Sequence, residues 1–210
     1  MNNWLETGYP VDHALNIDVK DFCLSEPMRD GITQLWNEKV GVWQLPAEHI
    51  FKKQWLQETN KYFNVDITGG LIFYRTPKYQ HPGAHTDVDP QNGVNLPVIF
   101  SYNWVMQEDS LNPMVWYKPY SGELDSDVDQ GSMAYKEWPT EILERESEHC
   151  LSHDQITMCR TDIPHNVDMN SENERWCITA RCWGHHQKDP WQTVYEEHLC
   201  LKKKSDLRLR

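Results

Sequence analysis

Residues 161–183 read TDIPHNVDMNSENERWCITARCW, two short runs of apolar, aromatic and β-branched residues on either side of a polar segment. Side chains of these types favour strands, and Gly, Pro, Asn and Asp bound such runs. From residue 68 onward the chain contains six of them: GGLIFYRTP, VNLPVIFSYNWVM, MVWYKPY, DQITMCRT, PHNVDM and RWCITARCW. Short strands without alternating helices are typical of a sandwich or jelly roll. We therefore predict a mainly β, jelly-roll core at 68–184.

The first 66 residues show a helical period instead. Ser25 to Pro27 resembles a helix start, and MRDGITQLWNEKV, residues 28–40, then spaces apolar residues three and four apart. A second helix is expected to begin near Pro46. Its apolar side is expected to carry Ile50, Phe51, Trp55, Leu56, Tyr62 and Phe63. We expect these N-terminal helices to pack on one sheet of the core.

The 210 residues suffice for one domain with an extensive core, so we treat 1–210 as a single unit. Residues 119–148 are polar and acidic, and the segment is too long for an ordinary hairpin loop. It is expected to be a disordered insertion or a lid. Residues 185–210, which end in the basic LKKKSDLRLR, are expected to form a solvated C-terminal tail.

The charge of the chain restricts its partners. Thirty-two acidic and twenty basic side chains give a net charge of −12, which disfavours binding to nucleic acid. No run approaches the roughly 18 apolar residues that a membrane span needs, and the first residues lack the features of a signal peptide. We expect a cytoplasmic protein without a membrane segment. Its six cysteines show no CxxC pair and are predicted to be buried thiols.

His85 and Asp87 are the first candidates for chemistry. Residues two apart on a strand point to one face, so an imidazole nitrogen and a carboxylate oxygen can meet at one point. A surface turn after Pro82 and Gly83 would explain the pair equally well in isolation. A mononuclear Fe(II) site that leaves room for a co-substrate and oxygen uses two imidazoles and one carboxylate on a single face. A metal site therefore requires a second histidine.

His165 answers that requirement together with Arg175. If the polar residues 168–173 form a hairpin turn centred on Asn170, then His165 lies opposite Arg175. Directly opposed residues share a face of the sheet at about 5 Å between Cβ atoms. The pairing would set a guanidinium beside the metal, where its planar fork of donors can hold a carboxylate.

The last strand extends this face. With period two, one face carries Arg175, Cys177, Thr179 and Arg181, and the other carries Trp176, Ile178, Ala180 and Cys182. Two arginines and a hydroxyl are costly to bury without an anionic partner. A carboxylate ligand is therefore expected inside the core.

HxD followed by a distant His and by an Arg ten positions after that His resembles the Fe(II)- and 2-oxoglutarate-dependent dioxygenases. The resemblance covers residues 68–184 and implies a double-stranded β-helix, the jelly roll of this superfamily. It further implies that His85, Asp87 and His165 bind Fe(II). Arg175 then matches the residue that binds the distal carboxylate of 2-oxoglutarate, and O2 is the second co-substrate.

The same resemblance implies further contacts with the co-substrate. Tyr74 lies where related prolyl hydroxylases carry a tyrosine on the strand before HxD. Tyr102 or Asn103 is a second candidate, and Thr179 is assigned to the co-substrate because it shares the face of Arg175.

Two residues are assigned to the substrate. Arg181 either anchors the substrate or forms an ion pair at the mouth of the barrel, and Trp116 either lines the pocket or belongs to the core. The implied reaction hydroxylates an unactivated C–H bond of a small-molecule or peptide substrate, an amino acid that is free or peptidyl, and releases succinate and CO2. Related halogenases have Gly or Ala in place of Asp87, so the carboxylate favours hydroxylation.

Two other functions stay open. RWCITAR is similar to the R-x-N-x-T-x-R strand of AlkB-like oxidative demethylases of nucleic acid, but Cys177 stands in the place of Asn and the acidic charge opposes nucleic acid. A non-catalytic jelly roll that binds a carboxylate is the third interpretation.

Overall fold

The computed structural model describes residues 1–25, 30–80, 83–91, 94–108, 110–119, 127–130, 133–182 and 190–208. Its helices are α1 (Val19–Ser25), α2 (Ala47–Ile50), α3 (Lys53–Phe63) and α4 (Trp191–Arg208), with a 3-10 turn at Thr140–Ile142. The strands are β1 (Trp4–Pro10), β2 (Thr33–Trp36), β3 (Val40–Pro46), β4 (Ile67–Arg75), β5 (Gly83–Gln91), β6 (Val94–Pro97), β7 (Phe100–Val105), β8 (Met114–Tyr117), β9 (Asp127–Gln130), β10 (Met133–Pro139), β11 (Arg145–His149), β12 (Gln155–Arg160), β13 (His165–Val167) and β14 (Arg175–Cys182).

The strands form two antiparallel sheets. The first has the order β1-β12-β7-β14-β4-β3-β2, and the second has the order β11-β8-β13-β5-β10-β9, with β6 paired to β5. The chain passes from one sheet to the other between β4 and β5, between β6 and β7, between β7 and β8, and at each step from β11 to β14. Wound in this way, eight of the strands form a double-stranded β-helix: β4, β5, β7, β8, β11, β12, β13 and β14. The predicted jelly-roll core is therefore confirmed.

The outer face of the first sheet carries the helices and most of the core. The predicted second helix exists as α2 and α3, and its residues Ile50, Phe51 and Trp55 are buried in the large apolar cluster of this face. A Cβ atom on Gly70 of β4 would lie only 2.5 Å from Cδ1 of Ile50. Glycine at this position therefore lets the side chain of Ile50 on α2 pack closely on the sheet.

The predicted first helix is wrong where residues 28–40 are described. Ser25 ends α1, and the segment from Thr33 forms β2 and β3 instead. Oδ1 of Asn37 accepts hydrogen bonds from the backbone N–H groups of Lys39 and Val40, at 2.8 and 2.9 Å, and so closes the turn. The asparagine turn and the pairing of β3 with β4 therefore determined the structure of this segment, against its helical period. Residues 26–29 lie outside the described part.

The segment 119–148 is also different from the expectation. Its described residues contribute β9, β10 and most of β11 to the second sheet, and β10 pairs with β5, the strand of His85. Residues 120–126 and 131–132 lie outside the described part. In its described residues, the segment therefore widens the second sheet. The sequence did not indicate these strands, because polar strands at a sheet edge lack the apolar alternation that identifies a strand.

The predicted tail at 185–210 contains α4. Trp191, Val194 and His198 on this helix are buried, and the helix packs on β1 and on the cluster around Phe63. The apolar residues of α4 therefore hold the segment against the core, although it ends in basic residues. Residues 183–189 and 209–210 lie outside the described part. None of the described helices combines the length and the apolar composition that crossing a bilayer would require.

None of the six cysteines forms a disulfide bond. Four of them are buried as predicted: Cys23, Cys159, Cys177 and Cys182. Cys150, which directly follows β11, is half-buried, and Cys200, near the middle of α4, is exposed.

Candidate active site

Two neighbouring strands of the second sheet bring three metal-binding side chains together. His85 and Asp87 lie two positions apart on β5 and therefore share one face of the strand. His165 on β13 is the direct cross-strand partner of His85. One ligand atom from each of the three lies within 4.8 Å of the others. Oδ1 of Asp87 is 3.7 Å from Nε2 of His85 and 4.0 Å from Nε2 of His165. This group can bind a metal ion.

His165 is oriented for this role by its other ring nitrogen. Nδ1 lies 3.0 Å from the carbonyl oxygen of Ile163, to which it donates, so Nε2 keeps a lone pair directed at Asp87 and His85. Burial lowers the pKa of His165 below its ordinary value, against the opposing effect of the Asp87 carboxylate. The neutral ring, which is the form that binds metals, is therefore favoured.

Arg181 holds the metal-binding carboxylate from the opposite sheet. Its Nη2 donates a hydrogen bond of 3.1 Å to Oδ2 of Asp87, and the two side chains are only 12% and 10% exposed. Of the two roles considered for Arg181, the structure contains the ion pair. Asp87 thus has one oxygen engaged by the guanidinium and one oxygen next to the histidines.

The triad opens into a cavity between the two sheets. Arg175 lines it at 3% exposure, and so does Arg75 at 8% exposure, its direct partner on β4. Around them the lining residues are Phe73, His85, Asp87, Ser101, Asn103, Met114, Leu151, Thr161, His165, Asn166, Val167, Cys177, Thr179 and Arg181. One cavity therefore combines metal-binding groups with buried guanidinium groups.

The predicted hairpin between His165 and Arg175 is wrong. His165 pairs with His85 and Trp116 in the second sheet, whereas Arg175 pairs with Arg75 in the first. The polar residues between the two strands carry the chain across to the other sheet. Oδ1 of Asn112, on a distant loop, accepts hydrogen bonds from the backbone N–H groups of residues 170 and 171. His165 and Arg175 still line one cavity because the sheets face each other.

The period-two prediction for β14 agrees with the structure. Arg175, Cys177, Thr179 and Arg181 all line the cavity. The other face carries Trp176, Ile178, Ala180 and Cys182, all of which belong to the apolar cluster under the helices. Oγ1 of Thr179 donates a 2.5 Å hydrogen bond to Oδ1 of Asn103, so this hydroxyl supports a neighbouring cavity residue.

Tyr74 and Tyr102 lie on the opposite face of the first sheet. The ring of Tyr74 packs on Trp36 and Trp176, and Tyr102 is fully buried with its hydroxyl 2.6 Å from Nε2 of His198. Neither residue lines the cavity, so their positions do not suit the expected contact with a co-substrate. Asn103, the alternative to Tyr102, does line it.

Trp116 is fully buried and stacks on Trp4, and its Nε1 donates to the carbonyl oxygen of Arg160 at 2.7 Å. It lies outside the cavity lining and is a core residue.

Sequence reasoning missed Arg75. The available signal was an arginine that ends the apolar run GGLIFYR, on the face opposite to Tyr74.

Comparisons with known proteins give limited similarity. No protein-family model and no curated protein matches the sequence. Among solved structures, a serine-to-alanine mutant of oxalate decarboxylase from Bacillus subtilis has 8% sequence identity and a TM-score of 0.36, over 72% of this chain and 28% of that one. An arginine-to-alanine mutant of the same enzyme has 9% identity and a TM-score of 0.32, over 77% and 33%. The chain thus spans about a third or less of the length of these structures.

Proposed function

We propose that the protein is an Fe(II)- and 2-oxoglutarate-dependent dioxygenase. It would hydroxylate an unactivated C–H bond of an amino acid, free or within a peptide, and release succinate and CO2. The observation that carries the proposal is the single cavity that joins the group of His85, Asp87 and His165 to the buried guanidinium of Arg175.

The donor set fits Fe(II). Two imidazoles and one carboxylate on one face are the usual ligands of mononuclear iron in oxygenases, and they leave positions for other molecules. Asp87 would bind through Oδ1, since Arg181 engages Oδ2. The contact of His165 with the carbonyl oxygen of Ile163 keeps Nε2 directed at the site. When bound, the iron supplies the activation of O2 and the oxidation of the co-substrate.

Arg175 fits the distal carboxylate of 2-oxoglutarate. A buried guanidinium presents a rigid fork of N–H donors that matches a carboxylate and stays charged. Apolar side chains complete this part of the cavity: Phe73, Met114, Leu151 and Val167. Their contribution is to exclude water around the reacting groups.

The substrate class rests on the resemblance to the Fe(II)- and 2-oxoglutarate-dependent dioxygenases. The net charge of −12 supports a small-molecule or peptide substrate over nucleic acid, because an acidic surface repels phosphates.

A turnover assay tests the proposal. The protein is loaded with Fe(II) and supplied with 2-oxoglutarate and a panel of amino acids and peptides. Succinate release is measured, and products are screened for the gain of about 16 Da expected from one inserted oxygen. His165→Ala should abolish succinate release, and Arg175→Met should reduce it strongly at 2-oxoglutarate concentrations near the wild-type KM. Arg145→Met, which removes an exposed ion pair with Asp168 on the outside of the second sheet, should retain it.

Wild-type rates in the His165→Ala or Arg175→Met variant would contradict the proposal. So would a wild-type protein that binds iron but neither consumes 2-oxoglutarate nor forms succinate with any member of the panel.

A further inference from the structure

Two buried guanidinium groups lie side by side in the cavity. Arg75 and Arg175 are direct partners on β4 and β14, and both side chains are almost completely buried. Like charges in directly opposed positions destabilise a sheet. Burial, and secondarily the charge of Arg175, lower the pKa of Arg75 to about 10, so Arg75 remains charged at neutral pH. The fold therefore tolerates an unfavourable concentration of positive charge at this point.

The hydrogen bonds of Arg75 with other described residues are to neutral acceptors, and Asp168, whose negative charge also acts on Arg75, is engaged by Arg145 and does not line the cavity. Its Nη1 lies 3.4 Å from Oδ1 of Asn166 and 3.2 Å from the carbonyl oxygen of Val167. Among the described residues that line the cavity, the one acidic side chain is Asp87, which Arg181 already engages. An anionic ligand is thus the natural counter-charge for Arg75, since buried charges require compensation.

The hydrogen bonds of Arg75 with other described residues leave donors for such a ligand. A guanidinium carries five N–H groups, and both contacts with β13 use the same nitrogen, Nη1. The residues that it contacts, Asn166 and Val167, directly follow the metal-binding His165. Arg75 is therefore in contact with the strand of the metal site while it lines the cavity beside Arg175.

We infer that Arg75 is a second anion-binding residue, which together with Arg175 makes the site selective for a co-substrate with a distal carboxylate. This inference rests on the proposed function and adds a residue to it. A 2-oxo acid without the distal carboxylate would offer no counter-charge to Arg75. The two arginines therefore select for a dicarboxylate, beyond the contribution of Arg175 alone.

Isothermal titration with two ligands tests the inference. Protein loaded with Mn(II) is titrated with 2-oxoglutarate and with 2-oxovalerate, which has the same chain length but lacks the distal carboxylate. Arg75→Met should weaken the binding of 2-oxoglutarate at least about tenfold and leave that of 2-oxovalerate unchanged, because loss of a charge-assisted hydrogen bond affects the dicarboxylate only. Arg75→Lys, which keeps a charge but not the fork, should show an intermediate loss and should be the decisive variant if Arg75→Met does not fold.

Two results would overturn the inference. An unchanged ratio of the two affinities in both variants would mean that Arg75 does not contact the ligand. An equal loss for both ligands would assign to Arg75 a purely structural role through β13.

Failure of the proposed function is distinguishable. If the wild-type protein binds neither 2-oxo acid, that function is wrong, and titration with glutarate, a dicarboxylate without the ketone, decides on Arg75. Glutarate binding that is lost in Arg75→Met and in Arg175→Met would support the anion site by itself. Absence of glutarate binding to the wild type would overturn it.

Discussion

Arg181 and Asp87 form a hydrogen-bonded ion pair that joins the two sheets across the cavity. Nη2 of Arg181, on β14, donates to Oδ2 of Asp87, on β5, over 3.1 Å. The second oxygen of the carboxylate lies 3.7 and 4.0 Å from Nε2 of His85 and of His165. The guanidinium of Arg181 therefore compensates the buried charge of the Asp87 carboxylate before any metal binds. One oxygen of the carboxylate stays available as a metal ligand.

Replacement of Arg181 should destabilise the metal-free protein. Arg181→Met leaves Asp87 buried without its partner, and removal of one member of a buried pair costs about 3 kcal/mol. Saturating Mn(II) should reduce the difference in unfolding free energy between variant and wild type, because the cation then compensates the carboxylate. Urea unfolding with and without Mn(II) measures both effects. Arg145→Met, at an exposed pair, should cost no more than about 1 kcal/mol. A difference that Mn(II) leaves unchanged would argue against compensation by Arg181.

Tyr74 on β4 and Arg175 on β14 should differ in their effect on the binding of the co-substrate. Tyr74 packs on Trp176 outside the cavity, so Tyr74→Phe should leave the KM for 2-oxoglutarate unchanged. Arg175→Met should raise this KM by about 30-fold or more, since loss of one member of a buried charge pair costs at least about 2 kcal/mol. Succinate release over a range of 2-oxoglutarate concentrations gives both values. A raised KM in Tyr74→Phe would indicate that Tyr74 contacts the co-substrate after all.

Local pattern was sufficient to predict most strands of the jelly-roll core and to place His85 and Asp87 together, but it did not predict β2, β3 or the strands within 119–148. Alternation on β14 identified which side chains face the cavity, and the short spacing of His85 and Asp87 identified a metal pair, because both depend only on the period of a strand. Pairing across the sheets was not predictable in this way. A polar turn after β13 is compatible with a hairpin or with a crossing, and the contact of Asn112 with residues 170 and 171 that accompanies the crossing comes from a distant loop.

The remaining differences have the same physical origin. Residues 33–36 have a helical period but pair with β3, so tertiary contacts outweighed local propensity. The apolar run that ends at Arg75 gave no indication of which of its last two residues faces the cavity until the partner of β4 was known.

Gly70 should be sensitive to a single added methyl group. Gly70→Ala brings Cβ to 2.5 Å from Cδ1 of Ile50, and overpacking of this kind costs about 1–3 kcal/mol. Ile50→Val removes the clashing atom, so the double variant should be less destabilised than the sum of the single variants, by at least about 0.5 kcal/mol. Urea unfolding of the four proteins gives the coupling energy. Strict additivity would show that the sheet and α2 move apart instead.

A buried hydrogen bond between Tyr102 and His198 should anchor α4. Nδ1 of His198 lies 2.8 Å from the carbonyl oxygen of Val194, to which it donates, so Nε2 is the acceptor for the tyrosine hydroxyl at 2.6 Å. Burial raises the pKa of Tyr102 well above its ordinary value, which keeps the hydroxyl proton in place. The imidazole ring also stacks on Phe63 of α3, with 5.2 Å between ring centroids.

Tyr102→Phe removes this buried hydrogen bond and should therefore cost about 1 kcal/mol. The amides of α4 should lose hydrogen-exchange protection before those of the sheets, because the helix is held to the core at this contact. Tyr195→Phe on the same helix is the matched control and should stay within about 0.5 kcal/mol of the wild type. A Tyr102→Phe, His198→Leu double variant should recover part of the loss, since replacement of both polar partners by apolar groups can be nearly neutral. Equal destabilisation by Tyr102→Phe and Tyr195→Phe would instead assign the anchoring of α4 to its apolar contacts.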